Sequence, residues 1–173
     1  MRVDVGYTEY AAPYMDASMV HQHRQRLCKA FHQHSLFTHL LGYIWKLEYG
    51  EYKGFHYHML FFFDGSKVRQ DVRYAQRIGE YWNTTITQGH GVYFNCNYRA
   101  EERYHANAMG LVTYHDAEKR QGLIHIIRYL TKIDEYATLT VHGDTFGHSQ
   151  SPTPHRGFDA KPLGRPRRHA SLT

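Results

Sequence analysis

Glu48-Tyr-Gly-Glu-Tyr-Lys-Gly-Phe-His-Tyr-His-Met-Leu-Phe-Phe-Phe63 is the stretch on which the reading of this chain turns. It has the composition of a β-hairpin: aromatic and apolar residues on both sides of a Gly-containing turn. A strand alternates its side chains between two faces, so His56 and His58 stand side by side on one of them. Phe55, Tyr57, Met59, Phe61 and Phe63 fill the other face without a break. The preceding run, Gly42–Tyr49, alternates in the same way. Tyr43, Trp45, Leu47 and Tyr49 face one way, and Ile44, Lys46 and Glu48 the other. Pairing the two strands brings Glu48 toward the histidines, on the face that the aromatics leave free. Two imidazoles and a carboxylate make a mixed N/O donor set suited to Mn2+, Mg2+ or Zn2+, with positions left for substrate oxygens.

Working outward, Arg2–Tyr7 alternates well enough for a first strand. Asp16 is placed to cap a helix over 17–39, with Val20, Leu27, Phe31 and Leu41 on its apolar side. The histidines of that segment (His21, His23, His32, His34 and His39) are scattered around the helix and make no metal site. Asp64-Gly65-Ser66 reads as a turn and cap after the hairpin. A helix follows, with Val68, Val72, Ala75, Ile78 and Trp82 on one stripe and Arg69, Arg73 and Arg77 spaced i,i+4 on another. Gly89–Asn97 has strand character, and no element is assigned to 100–114. A helix over 118–136 buries Leu123, Ile126, Ile127, Leu130 and Ile133. It carries His125, Tyr129, Lys132 and Tyr136 along a second stripe. Thr138–Val141 is the expected closing strand. The order β-α-β-β-α-β-α-(β) predicts an α/β (α+β) fold of the ferredoxin-like, split βαβ kind, with helices packed on a central antiparallel sheet.

The chain has 173 residues, 15 Tyr, 15 His and a formal net charge of +5. That size is enough for one domain with a real core, expected over 1–150. Residues 151–173 hold four of the five prolines and a local net charge of +4, which leaves +1 for the rest. They read as a basic tail in which Arg165, Arg167 and Arg168 can meet phosphates. Cys28 and Cys96 fit no paired-thiol motif, as expected for a reducing, cytoplasmic setting. No apolar segment follows Met1, and no run is long enough to span a membrane.

Tyr129 and Lys132 change the value of the histidine pair. A tyrosine on the polar side of a packed helix can act as an oxygen nucleophile. Attack on a phosphodiester needs charge neutralisation on the non-bridging oxygens. A divalent ion held by Glu48, His56 and His58, together with Lys132, can supply it. A histidine-aromatic-histidine strand, an upstream Glu and a later Tyr-x-x-Lys helix are together far more specific than any one of them.

In this set the chain resembles the HUH endonucleases, enzymes that nick single-stranded DNA and stay joined to its 5′ phosphate through tyrosine. The metal motif is His56-Tyr57-His58 and the nucleophile motif is Tyr129-Leu-Thr-Lys132. More narrowly, the chain is similar to the inovirus-type, filamentous-phage replication initiators. That similarity lies in Lys46-Leu-Glu-Tyr-Gly50, Gly54-Phe-His-Tyr-His58, Phe61-Phe-Phe-Asp-Gly65 and Gly79-Glu-Tyr-Trp82. It continues in Arg128-Tyr-Leu-Thr-Lys-Ile-Asp134, Thr145-Phe-Gly-His-Ser149 and Gly164-Arg-Pro-Arg167.

The resemblance implies that His56, His58 and Glu48 are metal ligands, Tyr129 is the nucleophile and Lys132 is its motif partner. Glu51 is the rival carboxylate, and the fixed place of Glu48 on its strand favours Glu48. Arg69, Arg73, Arg77, Arg128 and Tyr136 are candidate nucleic-acid contacts, with Tyr136 too far along the chain to pair with Tyr129 as a second nucleophile. The expected partners are single-stranded DNA or an origin hairpin, with a host helicase and polymerase in a bacterial cytoplasm, because no Walker motif is present. A monomer or weak dimer is expected. A single-strand transposase or relaxase shares the motifs. A non-catalytic nucleic-acid-binding protein of ferredoxin-like fold is the alternative from another class.

Overall fold

Alternation in β1 (Arg2–Tyr7), β2 (Leu40–Gly50) and β3 (Gly54–Phe63) builds the centre of an antiparallel sheet. The structure, a computed structural model, describes residues 1–104, 108–132, 137 and 143–150. β4 (Gly91–Asn95) and β5 (Phe146–His148) complete five strands in the order β4-β1-β3-β2-β5. The first four strands, with a helix after β1 and another after β3, form the split βαβ arrangement expected from the sequence. β5 extends the sheet at the β2 edge, pairing Lys46 with Phe146 and Ile44 with His148. The closing strand expected at 138–141 lies outside the described residues, as do Ile133, Tyr136 and the tail 151–173 with Arg165, Arg167 and Arg168.

α1 (Ala17–Gln33) starts where the sequence places it, the Asp16 carboxylate accepting from Met19 N–H at 2.8 Å. It ends at Gln33 rather than at His39. His34 turns extended, and a 3-10 turn at Ser35–Phe37 carries Leu36 and Phe37 into the core, where Phe37 meets Phe31 at 4.8 Å between ring centroids. Burying those two side chains outweighs one more turn of a helix rich in His and Gln. Leu41 is therefore not on the helix at all: it lies on β2, half-exposed.

α2 (Asp71–Tyr81) begins later than its apolar stripe suggests. The Asp64 carboxylate accepts from Ser66 N–H at 2.8 Å, closing a turn instead of capping the helix. Arg69 precedes α2, so only Arg73 and Arg77 share its exposed face. Trp82, wholly buried, opens a π-helical turn (Trp82–Ile86) and donates its indole N–H to Gly6 O at 2.8 Å.

Both helices cover one face of the sheet. Val3, Val5, Tyr7, Trp45, Leu47, Tyr57, Met59 and Phe61 meet Val20, Leu27, Phe31, Ala75 and Ile78 there. Gly79 is required at this contact, because a Cβ would overlap the Tyr93 ring of β4. Gly79→Ala is expected to cost about 1–3 kcal/mol through overpacking. A chemical-denaturation midpoint equal to that of the unchanged protein would show that Tyr93 yields instead.

The opposite face is only half covered. α3 (Ala100–Arg103) and α4 (Ala117–Leu130) supply Ala100, Ile126 and Leu130 to a second cluster around Leu60, with Ala108 and Met109. Asp116 caps α4, accepting from Lys119 N–H at 2.9 Å. α4 stops at Leu130, earlier than the stripe to Tyr136 predicts, and Lys132 falls in the turn beyond it. No helix among the described residues is long and apolar enough to cross a membrane. Cys28 and Cys96 are free thiols.

Candidate metal centre and nucleophile

Register sets out the half-covered face as a grid. Lys46 of β2 pairs with His58 of β3, His58 with Asp4 of β1, and Asp4 with Phe94 of β4. One step along, Glu48 pairs with His56. A Cβ at Gly6 would stand 3.3 Å from His56 Cβ, so the glycine gives the imidazole its room.

The donor atoms converge. His58 Nε2 is 2.9 Å and His56 Nε2 3.7 Å from Glu48 Oε2. One ligand atom from each of Glu48, His56 and His58 lies within 4.8 Å of the others, the one such group found among the described residues. Glu51, the rival carboxylate, is exposed in the β2–β3 turn and outside this cluster.

Each imidazole is held from behind. His56 Nδ1 lies 3.1 Å from Gly54 O; a carbonyl only accepts, so Nδ1 carries a hydrogen, which leaves Nε2 facing Glu48. His58 Nδ1 lies 2.9 Å from Asp4 Oδ1. Arg2 approaches the same nitrogen at 3.0 Å, but its Nε and a terminal nitrogen already bind both Asp4 oxygens at 2.9 and 3.1 Å. Asp4 only accepts, so in the charged ring that Asp4 and Glu48 favour the Nδ1 hydrogen goes to Asp4. A histidine whose Nδ1 is bound to a carboxylate or carbonyl, with Nε2 presented forward, is the arrangement found behind metal ligands. The donor set and its supports fit a divalent ion.

The electrostatics agree with that geometry. Hydrogen bonds from His56 and His58, and then Lys46, hold the Glu48 carboxyl far below the usual carboxylate range despite its partial burial. Burial opposes charge on His58, yet the bonds to Asp4 and Glu48 outweigh it and raise its pKa. A cation sitting among these carboxylates is what the pocket favours, whether imidazolium or metal.

Tyr129 is 42 % exposed on the last turn of α4, and its ring centroid lies 6.3 Å from that of His58. Three cations surround the ring: Arg2 Cζ at 5.8 Å, Lys132 Nζ at 5.9 Å and Lys46 Nζ at 6.0 Å. Tyr129 opens into a cavity of 660 Å³ lined also by Arg2, Arg103, Tyr104 and His125. A second cavity of the same volume runs past His56 and His58 to Phe94 and Lys53.

The structure thus gathers Glu48, His56, His58, Tyr129 and Lys132 in one place. Arg128 is exposed on α4, whereas Arg73 and Arg77 lie across the sheet from the site. Sequence reasoning missed Asp4, Arg2 and the inward role of Lys46. The alternation of Arg2, Asp4 and Gly6 against Val3, Val5 and Tyr7 held the signal.

Fold and site together define an α+β protein whose antiparallel sheet carries a candidate metal cluster beside a tyrosine ringed by cations. The chain matches the family model of the YagK/YfjJ C-terminal domain over residues 14–149 and belongs to that family. The matched span contains Glu48, His56, His58, Tyr129 and Lys132 but not Arg2 or Asp4. No curated protein and no solved structure matches the chain significantly.

Proposed function

We propose that this chain is a divalent-metal-dependent, site-specific single-stranded DNA endonuclease and strand transferase of the HUH kind, which initiates rolling-circle replication. The observation that carries the reading is a half-exposed Tyr129 standing 6.3 Å, ring to ring, from His58 with three cations around it. Nucleic-acid binding alone requires neither paired Nε2 atoms aimed at a carboxylate nor a phenol beside them.

In the proposed step Tyr129 Oη bonds to phosphorus and the P–O3′ bond breaks. The phenol gives up its proton, and the departing 3′ oxygen takes one up. The products are a free 3′-hydroxyl and a 5′-phosphotyrosine, and attack by a 3′-hydroxyl on that ester runs the reaction backward and rejoins DNA. Arg2, Lys46 and Lys132 neutralise the non-bridging oxygens. Mg2+ or Mn2+ held by Glu48, His56 and His58 would polarise the phosphate. The 3′-hydroxyl then primes a host polymerase, with unwinding left to a host helicase.

The test is to incubate the protein with single-stranded origin DNA and Mn2+ or Mg2+, then to sequence the covalent adduct by mass spectrometry. A nucleotide on Tyr129 is expected; a nucleotide on another residue, or no adduct with either metal, overturns the assignment. Two variants grade the supports. Lys132→Ala is expected to slow adduct formation by less than the ~100-fold seen for loss of a dedicated charge-stabilising donor, because Arg2 and Lys46 remain. Asp4→Asn is expected to weaken Mn2+ binding, followed by titration calorimetry, by about 10- to 100-fold through loss of support at His58 Nδ1. Unchanged affinity would show that His58 needs no such support.

A further inference from the structure

The outer face of β4 and the short α3 carry an aromatic and cationic surface that the chemistry above does not use. Phe94 and Tyr98 are 49 % and 50 % exposed. Arg103 Cζ lies 5.2 Å over the Phe94 ring and 5.8 Å over the Tyr98 ring, and Arg99 Cζ lies 5.5 Å over Tyr98. Two half-exposed rings close together offer faces on which a planar partner can stack.

The position of this patch gives it direction. Phe94 lines the cavity that holds His56 and His58, and Arg103 lines the cavity that holds Tyr129 and Arg2. The Arg103–Phe94 contact therefore stands between the two cavities, one on either side of it. Among the described residues, no carboxylate lies within ion-pair distance of Arg103, while Arg99 reaches Glu102 at 3.7 Å. A flat π-face beside an uncommitted guanidinium is complementary to a base attached to a phosphate. Double-stranded DNA offers no unstacked base for the rings, so the fitting occupant is single-stranded.

We propose that Phe94, Tyr98 and Arg103 form the track on which single-stranded DNA is laid beside Tyr129, the rings stacking bases and Arg103 holding a phosphate. This rests on the nuclease reading and names how its substrate is held. The track is sequence-tolerant, because every base has a π-face. Recognition of a particular origin then falls to other contacts.

The experiment uses full-length Tyr129→Phe protein, which cannot form the adduct, and fluorescent oligo(dT) of about 20 nucleotides, long enough to span one such groove. Binding is read by anisotropy across a salt series. Phe94→Ala and Tyr98→Ala are each expected to weaken binding roughly 5- to 100-fold, and Phe94→Trp to retain it. Arg103→Gln is expected to flatten the log–log salt slope by about 0.7, the value for one lost phosphate contact on a single strand. Oligonucleotides carrying 5-bromodeoxyuridine should crosslink to peptides containing Phe94 or Tyr98.

Outcomes separate the two proposals. Adduct formation by the parent protein with unchanged binding in the ring variants, or crosslinks confined to the α2 face, overturns the track and leaves the nuclease reading intact. Loss of binding in the ring variants without any adduct from the parent protein supports the track and overturns the nuclease. No binding of oligo(dT) by the Tyr129→Phe protein overturns the track outright.

Discussion

Tyr129→Phe is expected to abolish the covalent protein–DNA complex while leaving the fold and single-strand binding in place. The substitution removes one oxygen and hardly changes volume. The ring is 42 % exposed and its packing partners are cations and the edge of His58, so the core loses nothing. Leu130 and Ile126, which fix α4 to Leu60, are untouched. A step that needs the phenol oxygen as nucleophile has no substitute in phenylalanine, and the loss should reach the detection limit. Residual adduct in the variant, mapped to a second tyrosine such as Tyr136, would overturn the assignment. A melting temperature several degrees lower would show that the hydroxyl has a structural role.

The second large effect is expected from replacing both His56 and His58 with Ala. Two of the three ligand atoms disappear together. Mn2+ affinity should therefore fall by more than the ~10- to 100-fold that loss of an outer-shell support costs, and cleavage should vanish with it. The fold should survive. Asp4 keeps the two-point contact with Arg2, and Glu48 keeps Lys46 Nζ at 2.8 Å, so neither carboxylate is stranded. Some stability will still be lost, because His58 links the two carboxylates and is nearly buried. Circular dichroism separates that loss from unfolding. Full cleavage by the double variant, in buffer stripped of metal and resupplied with Mn2+, would remove these residues from the mechanism.

Lys132 shows how a spatial pairing can be read from spacing while the element under it is misread. The i,i+3 spacing from Tyr129 suggests one helix face, yet α4 ends at Leu130 and Lys132 sits in the turn beyond it. Its Nζ still reaches the Tyr129 ring, because a turn that closes on Tyr129 O, with Lys132 N–H donating at 3.2 Å, keeps the two residues together. Local spacing was enough to pair them, although the helix boundary was not.

The sequence by itself determined which residues share a face. Period 2 is a property of the extended chain, so His56 and His58 against Tyr57 and Met59, and Glu48 against Leu47, could be separated before any tertiary contact was known. The hairpin between β2 and β3 follows from the same local information, because the two runs are adjacent and joined by a short Gly-containing turn. The Glu48–His56 pairing is a consequence of that register.

What joins segments far apart in the chain was decided only by the tertiary structure. Asp4 stands behind His58 because β1 pairs with β3 rather than β2. Lys46 turns from an ordinary strand lysine into a buried cation between Glu48 and Tyr129 once α4 packs over Leu60. The early end of α1 and the short β5, with Gly147 against the Trp45 ring, have weak local signals. Their free energy comes from burying Leu36, Phe37 and Trp45 against residues distant in sequence, and such burial exists only after the sheet has formed.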